Sequence, residues 1–297
     1  MRLLLLGCTG QVGWELQRAL APLGDVVACD FTETGDRHAD FAQPAQLAAL
    51  VARFAPQAIV NAAAHTAVDK AETEPGLAQA LNADAPGVLA REAAARGIPI
   101  VHYSTDYVFD GSGSHFRRED EALSPMSVYG RTKADGERQV AAAGGAHLIL
   151  RTSWVYAARG GNFAKSMLRL AAEREVLKVV DDQIGAPTGA ELLADVTAHA
   201  LQRLRADPSV SGLYHCVAGG QTSWFHYAQR VIERARVAGK ALKLPPDGLK
   251  AIPSADYPLP APRPLNSRLD TRKLHDTFGL RLPPWEAGVD RMLHEIL

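Results

Sequence analysis

The first thirty residues constrain the fold of this chain more than any other stretch. A short apolar run, Arg2 to Leu6, breaks at a glycine-rich turn, continues as a helix-like segment and returns to a second apolar run that ends in Asp30. This order is typical of a strand, a tight turn, a helix and a second strand in a βαβ unit. Such a turn leaves unpaired backbone N–H groups at the start of a helix, where they and the helix dipole attract an anion.

The glycines of the turn follow the spacing G-x-x-G-x-x-G. Gly7 permits the tight turn, Gly10 lets a phosphate approach the backbone, and Gly13 lets the helix pack on the strand. Asp30 lies where a carboxylate can accept a hydrogen bond from a ribose hydroxyl. The alternative is an ordinary turn whose glycines serve packing only. The strand, the helix and the acid together favour a dinucleotide site.

Strand-like and helix-like segments alternate along the first half of the chain. This alternation predicts an α/β fold with a doubly wound parallel sheet (a Rossmann fold) and a ligand crevice at the carboxyl ends of the strands. The predicted strands span 2–6, 26–30, 58–61, 98–104 and 147–151, and the predicted helices span 14–20, 46–54, 77–96 and 127–143.

Beyond Thr152 the pattern loosens, with helices predicted at 162–174 and 190–204 and a short strand at 178–180. The proline-rich segment from Pro245 to Pro264 predicts an ordered loop without regular structure that covers a site. We therefore predict a dinucleotide-binding domain over 1–150. The remainder, 151–297, is predicted to be mainly a smaller substrate-binding lobe, interleaved with the last strands of the sheet.

Composition is that of a large soluble enzyme: 297 residues, 47% of them hydrophobic, with a formal net charge of -1. Without a basic field, a nucleic-acid partner is not expected. The three cysteines stand singly, which is typical of a reducing compartment. No segment is long and apolar enough to span a bilayer, so no membrane partner is expected and we predict a cytoplasmic protein.

A second group of chemically able residues follows the predicted strand at 98–104. Ser104, Thr105 and Asp106 come at its end, and Tyr129 and Lys133 share one face of the next helix. Free tyrosine titrates near pH 10, and a cation beside it lowers that value, so Lys133 is expected to activate Tyr129. Thr105 can donate a hydrogen bond to the oxygen that Tyr129 protonates. A tyrosine and a lysine at this spacing are often an accident of a helix surface, but the glycine turn and the strand end favour a catalytic pair.

Together these motifs resemble the extended short-chain dehydrogenase/reductases and, within them, the family of dTDP-4-dehydrorhamnose reductases. The likeness covers nearly the whole chain. It is carried by the glycine turn, the strand end and Tyr129-x-x-x-Lys133, and by the stretches 10–16, 61–72, 151–156, 185–189 and 263–269.

The resemblance implies reduction of the C4 carbonyl of dTDP-4-dehydro-L-rhamnose to dTDP-L-rhamnose, for surface polysaccharide such as O-antigen, with NADPH or NADH. It implies three catalytic residues: Tyr129, Lys133 and Thr105. The implied cofactor contacts are Gly7, Gly10, Gln11, Val12, Gly13, Asp30, Asp40, Phe41, Ala63, Ala64, His65, Tyr129 and Lys133. The implied substrate contacts are Ser104, Thr105, Asp106, Tyr129 and Trp154.

The choice between the two cofactors rests on opposing arguments. Asp30 would accept a hydrogen bond from a ribose hydroxyl and repel a 2′-phosphate, which favours NADH. Members of the resembling family often use NADPH, and Arg37 or His38 could offset the acid. We predict use of both with modest discrimination.

The resemblance also implies a homodimer and a Mg²⁺ ion. Glutamates matching Glu15, Glu191 and Glu295 can gather at the dimer interface and bind the metal, since carboxylate oxygens suit that hard cation. From the residues alone, exposed glutamates are typical of a solvated surface.

Two other functions fit parts of the pattern. An epimerase or dehydratase of the same family shares the fold, the turn and the Tyr/Lys pair, but dehydratases carry an Asp-Glu pair after the strand-end threonine. Here Thr105 is followed by Asp106 and Tyr107. A non-catalytic regulatory relative would keep the fold without activity. The presence of both Tyr129 and Lys133 argues against it.

Overall fold

A computed structural model describes residues 1–297. The strands are β1 Arg2–Leu6, β2 Asp25–Cys29, β3 Ala58–Asn61, β4 Ile100–Thr105, β5 His147–Thr152, β6 Val155–Tyr156, β7 Leu177–Val180, β8 Ile184–Gly185, β9 Thr188–Gly189, β10 Gly212–His215, β11 Thr222–Ser223 and β12 Leu249–Ile252. The α-helices are α1 Gln11–Leu20, α2 Pro44–Phe54, α3 Val68–Thr73, α4 Pro75–Gln79, α5 Ala85–Ala95, α6 Val128–Ala142, α7 Phe163–Glu173, α8 Ala190–Ala206, α9 Trp224–Val237, α10 Arg272–Phe278 and α11 Trp285–Ile296. None of these helices has the length and apolar character needed to cross a membrane.

The central sheet has six parallel strands in the order β2-β1-β3-β4-β5-β10. Helices cover both of its faces, so strands such as β1 are buried on both sides and are almost wholly apolar. The strand order reverses between β1 and β3, and in open parallel sheets such a reversal marks the ligand crevice at the carboxyl ends of the strands. The predicted doubly wound α/β fold is confirmed.

The parallel register brings polar residues with hydrogen-bonding side chains to one edge of the sheet. Thr105 at the end of β4 is paired with Thr152 at the end of β5. On the other side of β4, His102 is paired with Asn61, the last residue of β3. Side chains far apart in sequence therefore lie next to one another at the strand ends.

The second lobe is interleaved with the sheet. After β5 the chain builds short strands and helices around a separate apolar core that includes Tyr156, Tyr227 and Trp285. It then returns to the sheet as β10, while α8 packs against α1 and the main core. The division at residue 150 stays a prediction.

The long helix predicted over 77–96 is present as one unbroken helical segment, but a π-helical turn that was not predicted lies within it. Helix α4 ends at Gln79, a π-helical turn spans Ala80–Asp84, and α5 begins at Ala85. The cause is Pro86, which has no N–H for a hydrogen bond to residue 82 and whose ring would crowd that carbonyl. The wider turn places the Asn82 side chain against the segment that follows β3.

The proline-rich segment is not wholly irregular, which corrects a second prediction. Strand β12 lies within it and pairs in parallel with β7. Its residues, Leu249–Ile252, contain no proline, so their N–H groups remain available for the ladder, and the prolines flank the strand.

The glycine turn predicts a sharp difference in stability between two glycine variants. A Cβ on Gly13 would lie 1.9 Å from the Gly7 carbonyl oxygen, whereas a Cβ on Gly10 would have no neighbour closer than 3.5 Å. We expect Gly13→Ala to lower the free energy of unfolding by about 3 kcal/mol or more, because backbone must move to admit the methyl group. Gly10→Ala, the matched control, should cost no more than about 1 kcal/mol. Urea denaturation measures both, and equal stabilities would contradict the close packing.

Candidate active site

The glycine turn offers a bare backbone surface at the start of α1. Gly10 occupies the N-cap position, and no side chain caps the helix, so the first N–H groups of the helix have no partner within it. A Cβ on Gly7 would lie 2.5 Å from the Ala63 nitrogen, which shows how closely the turn meets the segment after β3. This arrangement fits the pyrophosphate of a dinucleotide, which needs open amides and no side chain in the way.

The rest of the predicted cofactor residues on this side lie around the loop after β2. Asp30 accepts hydrogen bonds from the Thr9 N–H and the Thr32 N–H, both at 3.2 Å, and so joins the turn to the loop. Asp40 accepts one from the Ala42 N–H at 2.9 Å. The Phe41 side chain is buried in the apolar core, so its packing anchors this loop to the core.

Gln11 and Val12 begin α1 and are partly buried. The Gln11 Oε1 atom accepts a hydrogen bond from the Asn162 amide at 3.2 Å. Asn162 in turn caps α7 of the second lobe through its own side chain. The cofactor turn and the second lobe are thereby linked at the crevice.

Ala63, Ala64 and His65 follow β3, where Asn82 holds the backbone. The His65 N–H donates to Asn82 Oδ1 at 2.8 Å, and Asn82 Nδ2 donates to the His65 carbonyl at 3.1 Å and to Thr132 Oγ1 at 3.1 Å. His65 Nδ1 is buried without a partner. Asn82 is not among the residues predicted from the sequence, in which Pro86 is the only signal of the π-helical backbone around it.

The neighbouring ends of β4 and β5 carry buried polar side chains, some of which have no hydrogen-bond partner. Thr105 Oγ1 donates to Asp106 Oδ1 at 3.1 Å and accepts from the Tyr107 N–H at 3.2 Å. The Ser104 hydroxyl, Asp106 Oδ2 and the Thr152 hydroxyl are buried without partners. Such atoms are rare in proteins, and a catalytic role or an additional hydrogen-bond partner such as a ligand or water accounts for them.

Asp106 carries an unusual carboxyl group. Burial raises its pKa to about 6, although the nearby hydroxyl groups of Ser267 and Thr105 oppose the rise. The carboxyl group is therefore mostly ionised at pH 7 and mostly protonated below about pH 6.

Tyr129 begins α6 beside this strand end. Ser127 caps the helix by accepting the Gly130 N–H at 3.1 Å, and the ring of Tyr129 meets the ring of Tyr107 edge-on at 5.4 Å. Burial raises the pKa of Tyr129 to about 12, while its hydrogen bond with Thr105 opposes the rise. The hydroxyl thus keeps its proton at neutral pH in the unliganded protein.

Lys133 lies one turn further along the same helix, but its ammonium points elsewhere. Its Nζ atom donates to the Tyr103 carbonyl at 2.6 Å and lies 3.3 Å from His102 Nε2. Burial lowers the pKa of Lys133 to about 8, with Glu137 acting in the opposite direction. In this structure burial dominates the pKa of the phenol, and the lysine nitrogen is bound to the strand, so the expectation that Lys133 lowers the pKa of Tyr129 stays a prediction.

Trp154, predicted to contact substrate, has an unusual backbone and a tryptophan partner. Its φ of 50° is rare for a bulky side chain and is typical of functional sites that hold strain. Its ring stacks on Trp224 with centroids 3.7 Å apart. Trp224 is not among the residues predicted from the sequence, since nothing in the spacing of the two tryptophans indicates that they meet.

The three glutamates predicted to bind metal are within range of each other's charge but form no cluster that could hold a metal ion. Glu191 is partly buried, and burial raises its pKa, with Glu15 and Glu295 adding to the rise. No group of three histidines, cysteines or carboxylates within one chain is arranged to hold a metal ion. A single chain therefore does not fit Mg²⁺ at this place, and the metal site stays a prediction.

Comparison with known proteins decides the family. The family model described as the RmlD substrate binding domain matches residues 1–297. The chain belongs to this family. The dTDP-4-dehydrorhamnose reductase of Shigella flexneri is 55% identical over 296 residues, covering 100% of this chain and 98% of that protein.

Solved structures agree with this membership. The crystal structure of a dTDP-4-dehydrorhamnose reductase from Clostridium acetobutylicum has a TM-score of 0.88 at 32% identity, covering 100% of this chain and 99% of that one. That of Bacillus anthracis, in complex with NADP, has a TM-score of 0.87 at 32% identity, covering 99% of each chain. The family is therefore the one among the extended short-chain dehydrogenase/reductases that the sequence motifs resemble.

The buried carboxyl of Asp106 predicts a specific pH dependence of stability. It binds its proton more tightly in the folded protein, at a pKa of about 6, than its usual value of 3.8 allows in the unfolded chain. Folding is therefore favoured by protonation, and the stability contributed by Asp106 falls as pH rises from about 4 to 6. The Asp106→Asn variant cannot ionise there. The unfolding free energy of wild type relative to this variant should fall by about 2 kcal/mol between pH 4 and pH 7.

Chemical denaturation at the two pH values measures this change. Asp247→Asn, which alters an exposed carboxylate, is the control and should show no such change. A pH-independent difference for Asp106→Asn would show that the carboxyl is not desolvated.

Proposed function

We propose that this chain reduces the C4 carbonyl of dTDP-4-dehydro-L-rhamnose to give dTDP-L-rhamnose, with hydride from NADPH or NADH. The observation that carries the proposal is the full-length identity of 55% with a reductase of that name. The unpaired hydroxyls and the tyrosine at the ends of β4 and α6 suit the same chemistry. The product is a sugar donor for bacterial surface polysaccharide such as O-antigen.

Some residues of the crevice bind the cofactor, and others take part in proton transfer. When bound, the nicotinamide cofactor supplies the hydride. Gly7, Gly10 and Gly13 keep the backbone open for its pyrophosphate, and Asp30 lies where an adenosine ribose hydroxyl can bind. Ala63, Ala64 and His65 form the wall between this turn and the strand ends.

Tyr129 is the proton donor to the C4 oxygen. Its pKa of about 12 keeps the phenol protonated before reaction. Thr105 lies beside it and can turn its hydroxyl hydrogen from Asp106 to the substrate oxygen, which stabilises negative charge as the carbonyl is reduced. Ser104, Asp106 and Trp154 line the place for the sugar.

Lys133 acts once the proton has left Tyr129. Its positive charge, one helical turn away, stabilises the phenolate and so lowers the barrier to proton transfer. The dehydratase alternative lacks its acid pair, because Tyr107 stands beside Tyr129 where a second carboxylate would be needed.

A homodimer and a cytoplasmic location belong to the same proposal. Trp14 is 45% exposed, with the Arg159 guanidinium 3.9 Å from its ring centroid, and an exposed tryptophan and arginine suit contact with a second copy. Glu15 follows it directly, so carboxylates from two chains could meet there around Mg²⁺. The free cysteines are consistent with a reducing compartment.

Cofactor use should be dual. Asp30 disfavours a 2′-phosphate, but both of its oxygens are bound to backbone N–H groups, and exposed Arg37 and His38 lie on the same loop. We expect kcat/KM for NADPH and NADH to differ by less than about a thousandfold, roughly 4 kcal/mol. Steady-state kinetics with each cofactor measures the ratio. A larger preference for either one would contradict this reading of Asp30.

Removal of the phenol hydroxyl tests the catalytic assignment. Tyr129→Phe should lower turnover of dTDP-4-dehydro-L-rhamnose by roughly 10²-fold or more, the usual loss for a general acid, and leave cofactor affinity nearly unchanged. Tyr214→Phe is the matched control, because the Tyr214 hydroxyl donates to the Val210 carbonyl instead. Cofactor oxidation followed by absorbance gives the rates. Near-normal turnover by Tyr129→Phe would reject Tyr129 as the donor, and a wild type inactive on this sugar would reject the function.

A further inference from the structure

We propose that His102 is a positioning residue for Lys133. Asn61 fixes the His102 ring in the tautomer that carries its hydrogen on Nε2. This N–H points at the lysine nitrogen and favours the neutral amine form of Lys133. His102 lies on β4, three residues before Thr105, and its side chain is fully buried. Neither the sequence motifs nor the proton transfer from Tyr129 gives it a role.

The orientation of the Asn61 amide is set by the main chain. Its Oδ1 atom accepts the Ala63 N–H at 3.1 Å, so its Nδ2 atom is the one that faces His102 Nδ1, at 3.2 Å. An amide nitrogen can only donate, so Nδ1 of the imidazole must accept. A neutral imidazole carries one hydrogen, and here that hydrogen is on Nε2.

The other side of the ring meets Lys133. His102 Nε2 lies 3.3 Å from Nζ, which also donates to the Tyr103 carbonyl at 2.6 Å. An ammonium group has three hydrogens and no lone pair, so it cannot accept from the Nε2–H, whereas a neutral amine can. All three side chains are at most 2% exposed, so water does not relieve the mismatch between the N–H and an ammonium.

The charged groups around His102 and Lys133 do not reverse the preference for the neutral amine. Glu137 lies one turn beyond Lys133 on α6 and favours the cation, but Arg151 from β5 binds its carboxylate through two hydrogen bonds of 2.8 and 2.7 Å. Tyr129, one turn before, stays neutral. Burial and Lys133 lower the pKa of His102 well below its usual value, so the ring itself stays uncharged.

The consequence for catalysis rests on the proposed function. Lys133 stabilises the phenolate only as a cation, so activity should be lost on the alkaline side as Lys133 loses its proton. His102 brings this loss closer to neutral pH. Burial acts in the same direction and lowers the pKa of Lys133 to about 8. The lysine can then release and regain a proton near the working pH.

Two variants replace the N–H that faces Lys133 with a hydrogen-bond acceptor and leave Lys133 itself unchanged. In His102→Gln, the side-chain oxygen can accept from the ammonium. In Asn61→Asp, one carboxylate oxygen still accepts the Ala63 N–H, and the other accepts a hydrogen bond from His102 Nδ1. The imidazole hydrogen therefore moves from Nε2 to Nδ1. Nε2 is then free to accept a hydrogen bond from Lys133. Both variants stabilise the cation, so the alkaline limb of the kcat/KM profile should move up by about one pH unit.

Imidazole ¹⁵N spectra of the full chain, labelled at histidine, report the tautomer directly and need no turnover. The signal absent from His102→Gln identifies His102. Wild type should show the Nε2–H pattern and Asn61→Asp the Nδ1–H pattern. His199→Gln, an exposed histidine on α8, is the matched control and should keep both the His102 signal and the wild-type pH profile.

The outcomes separate this proposal from the proposed function. An Nδ1–H pattern in wild type overturns the proposal whatever the activity, and so do alkaline limbs in the folded variants that coincide with wild type. If Asn61→Asp does not fold, the wild-type spectrum and the His102→Gln profile still decide. Absence of turnover with dTDP-4-dehydro-L-rhamnose would overturn the function while leaving the tautomer result intact.

Discussion

Close contact of backbone with backbone at the glycine turn is the constraint on which the rest of the structure depends. The first turn of α1 lies directly against the end of β1, with no room for a Cβ at Gly13, and the turn lies equally close to the chain after β3 at Gly7. These contacts fix the helix N-terminus over the edge of the sheet. The strand ends that carry Thr105 and Thr152 open at the same edge, because the sheet is parallel throughout.

Burial then determines the acid–base character of the site. The same desolvation raises the pKa of Tyr129 to about 12, raises that of Asp106 to about 6 and lowers that of Lys133 to about 8. Each shift favours the neutral form of its group. At neutral pH the phenol of Tyr129 therefore holds its proton, while Asp106 and Lys133 each titrate within about one pH unit of neutrality.

The sequence was sufficient where local pattern and tertiary structure agree. The apolar run of β1, the glycines of the turn and the spacing of Tyr129 and Lys133 each have a local physical signature. The π-helical turn before Pro86 and strand β12 were not foreseen, because each depends on packing against a distant segment. Trp224 and His102 were missed for the same reason: a stacked tryptophan and a lysine-bound histidine are defined by their partners across the fold. The direction in which Lys133 points was also beyond the motif, which fixes the face of a helix but not the carbonyl that the ammonium meets.

A crystal structure of the chain with NADP⁺ and dTDP-L-rhamnose tests the central claim most directly. The account predicts the pyrophosphate at the N-terminus of α1 and the C4 oxygen of the sugar about 3 Å from the hydroxyls of Tyr129 and Thr105, with Trp154 beside the sugar nucleotide. A sugar nucleotide bound away from the ends of β4 and β5, or a C4 oxygen out of reach of Tyr129, would contradict it.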